Sequence, residues 1–265
     1  MLQNKVYLIT GATSGIGMAT AKLAASKGAN LALVGRRQEV LAALADELQA
    51  QYAIDVLPIV ADLAQSQAVE MIVQTTMQHF GRIDYLLSNA GFGEFNPFQQ
   101  NDWQKTQAMF QVNVYAMMYL SQLVALEMLT QGSGQIVLVG SMAGKVPTPA
   151  ASAYAASKSA LIGYANALRL ELYGTGISVT TVNPGPVKTA FFDRSEMMQH
   201  YAARVEAFAL TAEQVAEAIV ANHERPCGPK RELNLPWTLG WLAKAYHCCP
   251  RLGDYLIVNL FNFKG

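Results

Sequence analysis

The sequence predicts an α/β fold, a doubly wound and mostly parallel sheet with helices on both faces, in a single domain. Two observations carry this. Short runs of apolar and β-branched residues recur along the chain, and a longer helical pattern separates each run from the next. Strands that are apolar throughout must be covered on both faces, which calls for helices above and below a parallel sheet. A third observation concerns size. No linker, repeat or low-complexity tract divides the 265 residues, and 52% hydrophobic with 14% charged content is enough for a sizeable core.

The elements follow in order. VYLIT (6–10) reads as a first buried strand, and GIGMATAKLAASKG (15–28) as a helix closed by Gly28. LALVG (31–35) is a second strand, followed by an amphipathic helix over 38–51. VLPIVAD (56–62), YLLSNAG (85–91), QIVLVGS (135–141) and SVTTVNPG (178–185) continue the strands, with helical stretches between them. LTAEQVAEAIVANH (210–223) begins a late helix, its Thr211 and Gln214 spaced as a capping box. RELNLP (231–236) fits a last strand at the sheet edge. Residues 1–228 therefore form the main unit, and 229–265 add this strand and an aromatic extension to it.

Composition excludes several function classes. Nineteen basic and nineteen acidic residues balance, so no global field favours nucleic acid. Three cysteines, two of them adjacent, do not make a disulfide framework and suit a reducing compartment. MLQNKVYLIT lacks the pattern of a signal peptide, and no apolar run reaches the about 18 residues of a membrane span. A cytoplasmic protein is expected, as a homodimer or homotetramer. No metal is expected: His247, Cys248 and Cys249 are contiguous, whereas metal ligands are more widely spaced.

Between the first strand and its helix lies TGATSGIG (10–17). Gly11, Gly15 and Gly17 let the backbone turn sharply and approach a ligand closely. The N–H groups and positive dipole of the helix that follows suit a pyrophosphate, so the loop reads as a dinucleotide site. In such folds an acid at the end of strand two holds the adenosine ribose. Here that position is Gly35, and Arg36 and Arg37 follow at once. Guanidinium groups recognise phosphate, so a 2′-phosphate is expected and NADP is preferred to NAD.

A second constellation sits in ASAYAASKSALIGY (151–164), a helix of small residues with Tyr154 and Lys158 four apart. Positions i and i+4 share one helix face, and an ammonium beside a phenol stabilises its anion.

Together, TGATSGIG (10–17), ADL (61–63), SNAG (88–91), Asn113, Ser141, YAASK (154–158) and NPGPVKT (183–189) make the chain resemble the short-chain dehydrogenase/reductase family. The resemblance covers residues 5 to 225 and fades over the C-terminal forty; Ser88 stands where the family often has asparagine. It implies a Rossmann fold and a catalytic set of Asn113, Ser141, Tyr154 and Lys158. In that set Tyr154 supplies a proton to the alkoxide of a reduced carbonyl. Its pKa would have to fall from about 10 toward neutrality, about 3 to 4 kcal/mol, with Lys158 as the source. Lys158 also holds the cofactor ribose, Ser141 holds the substrate oxygen, and Asn113 orders a water that feeds protons to Lys158. The resemblance further implies cofactor contacts at Gly11, Thr13, Ser14, Gly15, Ile16 and Gly17 in the loop. Others are implied at Asp62 and Leu63 near adenine, at Asn89, Ala90 and Gly91 near the ribose, and at Pro184, Gly185, Val187 and Thr189 near the nicotinamide. Tyr154, Lys158, Arg36 and Arg37 complete that set.

Phe92, Phe95, Met142, Phe191, Phe192, Met197 and Met198 flank the expected nicotinamide end and favour an apolar or lipid-like substrate. The sequence is thus read as an NADP(H)-dependent oxidoreductase interconverting a carbonyl and a secondary alcohol on a small molecule. A 3-oxoacyl-thioester reductase shares the motifs and is the second enzyme reading; a basic patch near the cleft would mark it, and the sequence displays none. An NADP(H)-sensing regulator is the non-enzyme reading, which has no need of the Ser141, Tyr154 and Lys158 set.

From Arg225 onward the chain carries a net charge of +4 and includes Trp237, Trp241, Tyr246, Tyr255, Phe261 and Phe263. This tail is expected to pack on protein near the substrate entrance, in its own subunit or across a dimer. An anionic membrane surface is its second reading.

Overall fold

The computed structural model describes residues 2–260 except Ser195. The main strands are β1 (Val6–Thr10), β2 (Asn30–Gly35), β3 (Val56–Val60), β4 (Tyr85–Ser88), β5 (Gly134–Val139) and β6 (Ile177–Pro184). A short pair, β7 (Val187–Lys188) and β8 (Leu210–Thr211), lies apart from them, and β9 (Glu232–Leu235) returns to the main sheet. The sheet order is β3-β2-β1-β4-β5-β6-β9, and every pairing is parallel. This is the doubly wound Rossmann topology expected, with the last strand at the edge.

Successive strand residues point to opposite faces, so each strand feeds two cores. Tyr7 and Ile9 of β1 pack with Ala21, Ala24 and Leu41 on one face, while Leu8 packs with Ile72, Leu120 and Leu161 on the other. The first face is covered by α1 (Gly15–Ser26), α2 (Gln38–Gln51) and, later in the chain, the helix Ala212–His223. The other is covered by α3 (Ser66–Phe80) and by helices that follow it. Of these, α4 (Trp103–Phe110) and α5 (Met117–Gln131) are joined without a break by a π-helical stretch, Gln111–Ala116, and α6 (Ser152–Glu171) follows. By length and composition, the continuous helix Trp103–Gln131 would suffice to span a bilayer. Its Met117, Leu120, Val124 and Met128 are instead buried in the core, which makes it a core helix.

After α7 (Glu196–Val205), α8 (Ala212–His223) starts at the capping box: Thr211 Oγ1 accepts from Gln214 N, and the Gln214 side chain accepts from Thr211 N. The tail forms α9 (Trp237–Cys248), which lies beside β9, and α10 (Pro250–Leu260), which packs against α9. Within the single chain the expected packing is met in part. The tail does lie beside the cleft described below, but Trp237, Trp241 and Tyr255 are exposed and Tyr246 is half-buried. The inward face of α9 is made by Gly240 and Ala243, so close approach of that helix to β9 turns its large rings outward. Phe261 and Phe263 lie outside the described residues.

Candidate active site

In an open parallel sheet, ligands bind at the carboxyl ends of the strands where the strand order reverses. That point lies between β1 and β4, and a cleft of about 1740 Å³ opens there. Of the residues assigned to catalysis or cofactor contact in the sequence, all but Gly17 and Asn113 line it.

The glycine loop forms its floor. Gly11 and Gly15 have φ of +67° and +53°, a region that side chains rarely adopt. Gly17 lies behind the loop: a Cβ there would sit 2.4 Å from the Gly11 carbonyl oxygen, so its role is close packing rather than ligand contact. Helix α1 begins at Gly15 with no side-chain cap from Ser14, which leaves its first N–H groups for a ligand. Thr10, which the sequence reading passed over, holds the opposite wall. Its Oγ1 accepts from the Asn89 and Ala90 amides at 2.9 and 3.1 Å, and its carbonyl accepts from Asn89 Nδ2 at 3.0 Å. Its position just ahead of the loop was the only available signal.

At the end of β2 the two arginines differ. Arg37 is tied to the loop, its Nη2 donating to the Thr13 carbonyl at 2.6 Å and its Nε to Thr13 Oγ1 at 3.4 Å. Arg36 is exposed at the cleft wall. Gly35 has no room for the acid other folds place there, because a Cβ would lie 2.6 Å from Thr13 Cγ2.

Strand β5 and helix α6 bring Ser141, Tyr154 and Lys158 to the inner wall. Small residues permit this approach: a Cβ on Gly144 would strike the Lys158 backbone at 2.8 Å. Burial pushes the Tyr154 phenol up to about 12, against a hydrogen bond with Ser141 that lowers it. The fall expected from Lys158 is absent in the protein by itself. The Lys158 ammonium donates to the Val139 carbonyl at 2.8 Å, lies 5.9 Å from the centre of the Tyr154 ring, and is itself lowered to about 8 by burial. Desolvation acts on both groups, raising the phenol and lowering the ammonium.

Asn113 is fully buried in the π-helical stretch, behind the cleft. Its Oδ1 accepts from Phe92 N at 3.0 Å, and its Nδ2 donates to the Phe92 carbonyl at 2.8 Å and to Ser157 Oγ at 3.2 Å. Both amide protons are committed, so the side chain braces the loop after β4.

The outer part of the cleft is apolar. Phe92, Phe95, Met142, Phe191 and Phe192 line it as expected; Met197 and Met198 pack behind them. The Phe95 and Phe191 ring centres lie 5.7 and 5.6 Å from that of Tyr154. Tyr201 and Arg204 of α7, the Pro147–Pro149 loop, and Leu239, Leu242, Leu252 and Leu256 of the tail were not singled out for this wall. They are distant in sequence and share no spacing that would mark them.

Residues 5–200 match the short chain dehydrogenase family, a span that contains the glycine loop, Ser141, Tyr154 and Lys158. The chain belongs to this family. As a short-chain dehydrogenase it is an oxidoreductase of Rossmann fold. It is 31% identical over 263 residues to the "Uncharacterized oxidoreductase YxnA" of Bacillus subtilis (strain 168), covering 98% of this chain and 73% of that protein. It is 32% identical over 260 residues to "11-beta-hydroxysteroid dehydrogenase-like 3" of Arabidopsis thaliana, covering 97% of this chain and 81% of that one. Among solved structures, a short-chain dehydrogenase/reductase from Burkholderia phymatum in complex with NAD superposes with a TM-score of 0.83 at 27% identity, over 95% of each chain. The similarity to the first two proteins therefore runs on through α9 and α10 of this short-chain dehydrogenase.

Proposed function

We propose that the protein is an NADP(H)-dependent oxidoreductase that interconverts a carbonyl and a secondary alcohol on a bulky apolar molecule. The observation that carries this reading is the convergence of Ser141, Tyr154 and Lys158 at the base of a cleft whose outer wall is aromatic and aliphatic. The loop residues fit a dinucleotide: positive φ at Gly11 and Gly15, the tight Gly11–Gly17 contact and the uncapped start of α1 leave a backbone cradle for phosphates. Arg36 supports the phosphorylated form, since it is exposed at that wall and Gly35 stands where an acid would hold the ribose. The NAD in the Burkholderia structure belongs to that protein.

Bound NADPH would supply the hydride for the carbonyl carbon. The chain's own residues do the rest. Ser141 donates to the carbonyl oxygen and keeps it near Tyr154. The phenol, held above its ordinary pKa by burial, carries its proton at neutral pH and gives it to the oxygen as negative charge develops there. Lys158 would hold the ribose hydroxyls of the bound cofactor and offers positive charge to the phenolate left behind. The phenyl rings of Phe95 and Phe191 exclude water from the reacting centre.

The test is turnover, read by nicotinamide absorbance, of a panel spanning short polar ketones, bulky apolar ketones and 3-oxoacyl thioesters. The expected result is NADPH oxidation with the bulky apolar ketones. Turnover confined to the thioesters, or NADPH binding without turnover of any member, overturns the reading.

A further inference from the structure

The tail exposes a large apolar face. Trp237 is 70% exposed, Trp241 63%, Leu252 59%, Tyr255 67% and Val258 61%. Spacing places these residues together: Trp237 and Trp241 are i and i+4 on α9, and Leu252, Tyr255 and Leu256 are i, i+3 and i+4 on α10. The face also continues into the cleft. Leu242, Leu252 and Leu256 line the cleft and are themselves exposed, so the apolar interior and the apolar surface meet at one rim.

The lysine, arginine and acidic residues on the same two helices are Lys244, Arg251 and Asp254, which leaves one net positive charge. Lys244 Nζ stands 4.6 Å from the centre of the Trp241 ring, and Arg251 opens α10. Asp254, exposed on α10, accepts from the Tyr246 hydroxyl at 2.9 Å, and Glu232 of the neighbouring β9 is paired with Lys145. Two copies facing each other through this surface would gather four cations, Lys244 and Arg251 of each, against two Asp254 carboxylates. An anionic lipid surface complements the cations. Tryptophan settles at the boundary between headgroup and acyl chain, and long cationic side chains reach from an apolar face to phosphate.

We propose that α9 and α10 dock on an anionic lipid surface and turn the mouth of the cleft toward it. Docking stands on these two helices alone. Its consequence, that apolar substrate enters from the lipid rather than from water, rests on the function proposed above.

The full chain is mixed with vesicles of phosphatidylcholine, with and without phosphatidylglycerol, and sedimented. Trp103→Phe leaves Trp237 and Trp241 as the only tryptophans, so their emission and its quenching by brominated lipid report on the tail. Sedimentation with the phosphatidylglycerol vesicles, a blue shift and quenching are expected. Trp237→Ser with Trp241→Ser, and separately Lys244→Glu with Arg251→Glu, should lower the vesicle partition constant about tenfold, the shift expected for about 1.4 kcal/mol. Neither pair touches the reacting groups, so turnover of a water-soluble carbonyl should persist. Absence of sedimentation at low salt overturns the proposal. So does a doubled mass in solution that the tryptophan pair restores to monomer, because a second copy would then cover the face. Docking without turnover of any ketone would remove the function proposed above and leave docking intact; turnover of apolar ketones without docking would do the reverse.

Discussion

Replacing Arg36 with alanine tests cofactor choice at the point where the structure separates two adjacent arginines. A charge-assisted hydrogen bond is worth about 1.5 to 3 kcal/mol. Arg36 is exposed, so solvent screens it and the lower figure applies, about 1.5 kcal/mol or roughly tenfold in Kd. Arg36→Ala should therefore weaken NADPH about tenfold and change NADH by less than about twofold. Arg37→Ala acts differently. It breaks the 2.6 Å bond to the Thr13 carbonyl and loosens the glycine loop that both cofactors share, so both should weaken together. Calorimetric titration of the parent and the two variants with each cofactor is the assay. Equal binding of NADH and NADPH by the parent, or an Arg36→Ala variant that loses both equally, would refute the assignment. Gly35→Asp is a poor alternative, because its Cβ would lie 2.6 Å from Thr13 Cγ2 and would move the loop as well as the charge.

Tyr154→Phe should lower kcat by about 10² to 10⁴ while leaving the Kd for NADPH nearly unchanged; near-parental turnover of a good substrate would remove the phenol from the mechanism. His223 is buried between the Tyr7 hydroxyl at 2.8 Å and Gln135 Oε1 at 2.7 Å, and burial lowers its pKa from 6.5 to about 3. Its neutral form is favoured by folding, so the stability it contributes is full above 6.5 and is lost as pH falls toward 3. At about pH 5 the loss is about 2 kcal/mol, and His223→Gln should flatten the fall in Tm on that side; an unchanged slope would refute this. Asp84 meets burial that raises its pKa, yet hydrogen bonds from Arg82, Val6 N and Lys5 hold it below the ordinary value. Its stabilisation is therefore present above the unfolded carboxyl pKa and is lost as pH falls through the folded one. Asp84→Asn should cost about 1 to 3 kcal/mol in denaturant melts near neutrality.

What the sequence revealed, and what it hid, follows from the range of the interactions. The glycine loop, the capping box at Thr211 and the Tyr154–Lys158 spacing are local geometries, written within a few residues of one chain segment. The π-helical stretch at Gln111–Ala116 is also local, yet it was illegible. It changes the winding of a helix without changing the residue types a helix accepts, and Asn113 shows its partner only when Phe92 is brought beside it. The outward rings of α9 were hidden for another reason. Composition records how much apolar area a segment carries, while Gly240 and Ala243 decide which side of it meets β9.

Tyr154 shows the same division inside a single residue. The sequence places an ammonium one helical turn away and so supplies the Coulomb contribution, which lowers the phenol. Burial is a property of the assembled wall, of Phe95, Phe191 and Tyr201 around the ring, and it acts on Lys158 as well. With the phenol at about 12 and the ammonium at about 8, both groups are held toward their neutral forms. A phenol in that state is a proton donor that resists becoming a base. Reduction of a carbonyl needs only the donor. Oxidation of an alcohol needs the phenolate, which requires added positive charge beside Lys158, and an oxidised nicotinamide, if held at the cleft, would supply charge of that sign. The pH profile of alcohol oxidation should therefore rise further toward alkaline pH than that of carbonyl reduction. Coincident profiles would mean that burial does not control the proton on Tyr154.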